Sequence, residues 1–264
     1  MKTKILFLGN GPLANNAKQV LSTTFDIIFH AHTKSDLLTI KKLKLTQPSL
    51  PAVLASFGII IKQDLLKLFE PTGILNIHPS LLPKYRGASP IETAILNGDK
   101  DFSVSIIKLS KKMDAGPIYY QTTIHNLPLN KADIYRQLAT TGATWLCKNL
   151  LHLPLPKPQN ERLATFTTKL DKTFSLLTPN QDSAITTLRK IIAYQNFPKP
   201  KYSFLNQSCI ILSAHLLKTN ETAPLTITCQ DGKILAIDYL QPENKRPMDA
   251  QSFLNGYSRG KIKL

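Results

Sequence analysis

Apolar positions in the first 150 residues follow two patterns that alternate along the chain. Short continuous apolar runs are typical of buried strands, and between them apolar residues recur every three or four positions, as they do in helices. Strands are predicted at residues 4–8, 25–29, 51–56, 73–77, 102–109 and 118–124. Helices are predicted at residues 37–43, 63–69, 90–96 and 131–151, with a further helix ending at residue 20. This alternation predicts an α/β fold with a doubly wound, mainly parallel, Rossmann-like sheet that binds ligands beyond the carboxyl ends of its strands.

The second part of the chain has a different pattern. Pro154, Pro156 and Pro158 indicate a semi-rigid linker. Beyond it one helix is predicted at residues 182–194, and short strands at 209–214, 225–229 and 234–240, which together favour a small OB-like β-barrel. We therefore predict a first domain at residues 1–152, a linker at 153–171 and a second domain at 172–264.

One predicted helix has a clear start signal. Ser89 precedes Pro90, and Glu92 stands where a capping box would place it, so Ser89 is predicted as the N-cap residue. This signal fixes the helix directly after the most informative loop in the sequence.

Composition adds a charge argument. Lys and Arg total 33 against 17 Asp and Glu, a net charge of +16, and the excess is spread over both predicted domains. A basic protein of this kind suits a polyanionic partner, because each phosphate that a cation neutralises releases counterions. We expect a nucleic acid and not a membrane, since no apolar run is long enough to span one. With no leader pattern at the N-terminus, we expect a cytoplasmic protein.

The glycine loop after the first strand matches GxGxxA, which raises the alternative of dinucleotide binding. The acidic residue expected after the second strand is missing, because His32, Thr33 and Lys34 occupy that stretch. We therefore interpret Gly9 and Gly11 as tight-turn residues that border a substrate.

The strongest chemical signal is the segment NIHPSLLPKYRG at residues 76–87 together with KMDAGP at 112–117. Asn76 and His78 lie two apart at the end of a strand, so their side chains point to one side of the sheet. Asp114 follows another strand and can reach the same edge. An amide, an imidazole and a carboxylate in one crevice could stabilise an oxyanion and move a proton, as acyl transfer requires. A purely structural hydrogen-bonding role for His78 is the alternative.

The paired motif resembles the signature of the 10-formyltetrahydrofolate-dependent formyltransferases, which include glycinamide ribonucleotide, amino-sugar and methionyl-tRNA formyltransferases. The resemblance implies that Asn76, His78 and Asp114 are the catalytic set and that no metal is needed. It also implies that the co-substrate is 10-formyltetrahydrofolate. The predicted folate contacts are Ser80, Leu81, Leu82, Pro83, Ile59 and Met113.

The second domain and the basic charge together decide the expected acceptor, because amino-sugar formyltransferases can also carry a C-terminal barrel. Its segments resemble degenerate forms of the linker and OB-like domain of the enzymes that act on methionyl-tRNA. This chain is expected to be a monomer. The predicted tRNA contacts are Lys41, Lys42, Lys84, Arg86, Lys245 and Arg246. A nucleotide amino-sugar acceptor and a non-catalytic RNA-binding protein are the alternatives.

This chain departs from the tRNA-specific pattern at two places, one of which is the segment FPKP at residues 197–200, where Lys199 stands in place of the usual aromatic residue. Residues 29–45 are too compact for the basic insertion that such enzymes usually carry there. Lys34, Lys41, Lys42 and Lys44 are the expected substitutes.

Overall fold

The structure is a computed structural model that describes residues 1–257. The chain forms two compact units. The first contains residues 1–94 and 99–168, and the second contains residues 95–98 and 169–257 of the described chain. Residues 258–264, the end of the predicted second domain, lie outside the described residues.

The first unit is built on a six-stranded sheet with the order β2-β1-β3-β4-β5-β6. Strands β1 to β4 pair in parallel, whereas β4–β5 and β5–β6 are antiparallel. The predicted mainly parallel α/β fold is therefore confirmed. The strands are β1 Thr3–Gly9, β2 Phe25–Ala31, β3 Ala52–Ala55, β4 Ile74–His78, β5 Phe102–Lys108 and β6 Ile118–Ile124. The helices are α1 Gly11–Thr24, α2 Asp36–Thr46, α3 Gln63–Lys67, α4 Pro90–Asn97 and α5 Lys131–Asn149.

Helix α5 covers one face of the sheet, so the candidate site lies on the other face. A Cβ built on Gly142 would lie 2.9 Å from Cγ2 of Ile77, so a glycine is needed for this close approach. Successive strand residues point to opposite faces. Because Ile77 faces α5, Asn76 and His78 face away from it.

The predicted capping box at the start of α4 is wrong. The Ser89 hydroxyl donates instead to the carbonyl oxygen of Thr168. Glu92 is buried and accepts hydrogen bonds from Lys131 Nζ at 2.8 Å and from the Tyr135 hydroxyl at 2.8 Å. The motif has the right residue types, but both side chains bond to residues distant in sequence and do not form the local cap.

The second unit has a sheet with the order β11-β10-β8-β7, and β9 also pairs with β10. Its elements are α6 Ala184–Tyr194, β7 Lys201–Phe204, β8 Gln207–Leu216, β9 Thr226–Thr228, β10 Ile234–Pro242, β11 Met248–Asp249 and α7 Ala250–Tyr257. Its core contains Ile191, Ile211, Leu235 and Phe253. The expectation of a single helix is wrong, because α7 adds Phe253 to that core.

Candidate active site

Asn76 and His78 come from the carboxyl end of β4 and are almost fully buried, with 5% and 4% of their surface exposed. In the sheet, Asn76 is in register with Ile107 and His78 with Ser105 of β5. Asn76 is also in register with Leu54 of β3, so β4 is paired on both sides at Asn76 and on the β5 side at His78. This pairing fixes the positions of the two polar side chains. Buried polar groups of this kind need partners or a function.

Asp114 reaches these residues from the turn between β5 and β6. Its φ of 49° is left-handed, a conformation that Asp adopts more readily than most residues because its side chain can bond locally. Oδ2 accepts the Gly87 N–H at 2.8 Å. Oδ1 lies 3.5 Å from Nδ2 of Asn76 and 3.6 Å from Nδ1 of His78. The structure thus brings together the three residues that the sequence singled out.

The hydrogen bonds of His78 determine which ring nitrogen faces the site. Nε2 lies 3.0 Å from the carbonyl oxygen of Tyr85. A carbonyl can only accept, so Nε2 must carry a hydrogen. Nδ1 is therefore the nitrogen that faces Asp114, and it has a free lone pair whenever the ring is neutral. A proton that arrives beside the ring and the carboxylate can be accepted by either group.

Arg86 corrects one sequence prediction. Its side chain is only 2% exposed and its guanidinium bonds Glu161 at 2.7 Å and Gln159 at 2.7 Å. The guanidinium holds the pKa of the Glu161 carboxyl below its usual value, mainly through this hydrogen bond. The predicted role of Arg86 as a tRNA contact is wrong, because a buried and fully engaged guanidinium cannot reach a phosphate.

Gln159 is a site residue that the sequence reasoning missed. Its Nε2 donates to the carbonyl oxygens of Asp114 at 2.7 Å and Gly116 at 2.8 Å. The residue lies in the proline-rich segment that was interpreted only as a linker. Nothing in its local pattern indicates that this segment runs beside the Asp114 turn.

The predicted folate contacts differ in how much surface they offer. Ser80 is 3% exposed and its hydroxyl donates to the Lys84 carbonyl at 2.6 Å. Leu82 is likewise buried. Both side chains shape the loop after β4. Met113 and Leu81 are exposed, and Ile59 and Pro83 are half-buried, so these four can present surface to a ligand.

The predicted cationic contacts also differ in burial and in their partners. Lys44 is buried and donates to the carbonyls of Pro48 and Leu50, the latter at 2.8 Å. Burial lowers its pKa, and its expected role as a substitute for the missing insertion is wrong. Lys41 pairs with Asp64 at 3.2 Å.

The four remaining predicted cations are all exposed, and one of them has a carboxylate partner. Lys84 pairs with Asp99 at 3.1 Å. Lys42, Lys245 and Arg246 are exposed. Within residues 1–257, no group of three His, Cys, Asp or Glu side chains is placed to hold a metal ion, and no helix is long and apolar enough to cross a membrane.

Comparison with known proteins gives matches over both units. Residues 9–150 match the family model described as formyl transferase, and residues 169–258 match the formyl transferase C-terminal domain. The methionyl-tRNA formyltransferase of Dictyoglomus thermophilum is 34% identical over 228 residues, which are 78% of this chain and 71% of that protein.

Two solved structures show the same fold. The structure of HypX from Aquifex aeolicus in complex with tetrahydrofolic acid has a TM-score of 0.76 at 20% identity, over 98% of this chain and 48% of that one. Methionyl-tRNA formyltransferase from Clostridium thermocellum has a TM-score of 0.69 at 18% identity, over 92% of this chain and 99% of that one.

Proposed function

The chain belongs to the formyl transferase family, and we propose that it transfers the formyl group of 10-formyltetrahydrofolate to the α-amino group of methionyl-tRNA. The observation that carries this proposal is the convergence of Asn76, His78 and Asp114 at the end of β4, in a chain that matches methionyl-tRNA formyltransferases over most of its length. Formyl transfer to an amine requires oxyanion stabilisation and a proton acceptor, and these three side chains supply both.

In the proposed mechanism the amine nitrogen attacks the formyl carbon, and a C–N bond forms while the carbonyl oxygen becomes an oxyanion. Asn76 Nδ2 donates to that oxygen. A donor in this role is worth on the order of 10²–10³ in rate. The amine proton passes to the Asp114 carboxylate or to His78 Nδ1, which lies 3.6 Å from it.

Collapse of the intermediate breaks the bond between the formyl carbon and N10 of the folate. The same proton then leaves the Asp114 and His78 pair for N10, so no net proton is gained or lost. Once protonated, His78 donates from Nδ1 as well as from Nε2, because both nitrogens of an imidazolium are donors. The Tyr85 carbonyl keeps the ring in position through both states.

The assignment of the acceptor rests on charge and on the second unit. A net charge of +16 suits a polyanion. Lys42, Lys245 and Arg246 are exposed cations that can contact a phosphate backbone. Aminoacylated tRNA is a cytoplasmic substrate, so we propose that the enzyme acts in the cytoplasm. We also propose that it acts as a monomer.

The proposal is tested by incubating the purified chain with 10-formyltetrahydrofolate and charged initiator tRNA, and then analysing the released amino acid. N-formylmethionine is the expected product. Charged elongator methionyl-tRNA serves as the matched control for discrimination. Binding of tRNA should also weaken steeply as salt is raised, because phosphate contacts release counterions. Product formation with an amino-sugar nucleotide but none with tRNA would overturn the assignment of the acceptor.

A further inference from the structure

Gln159 joins two parts of the candidate site that are far apart in sequence. Its amide nitrogen carries two hydrogens, and both are used: one bonds the Asp114 carbonyl at 2.7 Å and the other bonds the Gly116 carbonyl at 2.8 Å. Both carbonyls belong to the turn that presents the Asp114 carboxylate. The side chain of Gln159 therefore holds that turn from the main-chain side.

Arg86 fixes the direction in which the Gln159 amide points. Its Nε and Nη2 donate to Oε1 of Gln159 at 3.1 and 2.7 Å. A guanidinium can only donate, so the amide oxygen must face Arg86 and the amide nitrogen must face the turn. Arg86 is itself held by a two-point pairing with Glu161, at 3.1 and 2.7 Å.

The Asp114 turn needs such support from outside. Asp114 has a left-handed φ of 49°, which costs energy for any residue other than glycine and persists only when surrounding contacts enforce it. A Cβ on Gly116 would lie 1.7 Å from the Lys108 carbonyl oxygen, so the turn also lies tightly against β5. The carboxylate is anchored separately, by the N–H of Gly87 next to Arg86.

We propose that Gln159, oriented by Arg86, is a positioning residue for Asp114. It touches no substrate. It holds the carboxylate at the distance from Asn76 and His78 that proton transfer needs, and the same Arg86–Gly87 segment holds both the amide and the carboxylate. This inference rests on the proposed function for its kinetic consequences, but its structural content can be measured without any substrate.

The experiment compares four variants of the full chain. Gln159→Glu keeps the shape and an oxygen for Arg86, but it points a carboxylate oxygen at two carbonyls. Gln159→Ala removes the bridge, and Arg86→Lys removes the fork that orients it, since a lysine cannot bond two points in one plane. The matched control is Asn160→Ala. Asn160 is the neighbouring residue, is exposed, and caps its own short turn by accepting from the Arg162 N–H at 3.1 Å.

The substrate-free readout is hydrogen exchange of the backbone amides in the segment 110–117, where every residue except Pro117 carries an amide hydrogen. We expect faster exchange in Gln159→Ala than in the native chain, and native exchange in Asn160→Ala. The kinetic readout separates kcat from KM. Because a shift of about 1 Å at a catalytic group can cost on the order of 10²-fold, kcat should fall by roughly that factor in both Gln159 variants, with KM for the folate nearly unchanged. Arg86→Lys should lie between them and the native enzyme.

Several results would overturn the inference. The first is an amide exchange rate at residues 110–117 in Gln159→Ala that equals the rate in the native chain. A fall in kcat that Asn160→Ala reproduces is another, since it would indicate a general effect on the segment. If the native chain itself formylates no acceptor, the proposed function fails, whereas the exchange measurement still decides the positioning role.

Discussion

Replacing Asp114 by Asn removes the proton acceptor while keeping the shape of the side chain. In the native site Oδ2 accepts the Gly87 N–H, and Oδ1 faces Asn76 and His78. An asparagine can accept from Gly87 with its one oxygen, but it then points an NH2 group at Asn76 Nδ2, another donor. The His78 Nδ1 lone pair would accept from that NH2 group and become unavailable for the proton of the amine.

The expected loss follows from these contacts. Positioned acid–base groups typically contribute 10²–10⁴-fold, so kcat for formyl transfer should fall by about that factor, equivalent to roughly 3–5 kcal/mol on the barrier. The effect on folding should be small. A hydrogen bond to a charged acceptor exceeds one to a neutral acceptor by about 1 kcal/mol, so the free energy of unfolding should drop by about that amount. For a chain of this size the corresponding change in Tm is about 2–4 °C.

The assay is the rate of formylmethionine production at saturating concentrations of both substrates, with Tm measured on the same samples. A matched control is Asp99→Asn, which alters a carboxylate that pairs with Lys84 in the same unit but lies outside the catalytic set. Retention of more than about a third of the native kcat in Asp114→Asn would refute the assigned role. So would a kcat loss of equal size in the control.

Three further predictions follow from other contacts. Gly116→Ala should abolish most activity and lower Tm, because its Cβ would lie 1.7 Å from the Lys108 carbonyl oxygen; native activity in this variant would show that the turn is more yielding than the structure indicates. Lys131→Met should lower the free energy of unfolding by about 3–5 kcal/mol, because it leaves the buried Glu92 carboxylate without its cationic partner. Denaturant unfolding should show that adding Glu92→Leu restores part of this free energy. No such restoration would contradict the explanation. The pKa of His215 is raised, mainly by its hydrogen bonds to two carboxylates, so the pairing stabilises the fold below the ordinary His pKa and is lost as pH rises through the raised value. His215→Gln should therefore lower the free energy of unfolding at pH 6 by less than about 1 kcal/mol, as expected for such an exposed cluster, with a slight fall in Tm, and should lower neither at pH 9. An equal loss at both pH values would exclude the charge as its cause.

The sequence predicted most of the first unit, since its elements are long and periodic. The strand at residues 118–124 coincides with β6. Asn76 and His78 could be placed on one face from their spacing alone. These successes come from local periodicity, which a strand or helix displays along its own length.

The failures involve contacts or elements that the sequence pattern does not reveal. Arg86 was interpreted as a surface cation because nothing near it in sequence neutralises it, and its partners Gln159 and Glu161 come from a proline-rich segment more than seventy residues away. Lys44 was interpreted in the same way, although main-chain carbonyls bury it. Helix α7 at Ala250–Tyr257 is short, and no element was predicted at these residues. The sequence gives the net charge of a protein, whereas the fold determines which charged side chains face solvent.

The most direct test of the account is a competition between acceptors. The native chain is supplied with 10-formyltetrahydrofolate, charged initiator methionyl-tRNA and an amino-sugar nucleotide in one reaction, and the formylated products are separated and quantified. We expect N-formylmethionyl-tRNA to dominate, with kcat/KM for tRNA exceeding that for the sugar by at least about two orders of magnitude, because only tRNA can engage the basic surface as well as the catalytic residues. Formylated sugar as the main product, or no formylated product at all, would contradict it.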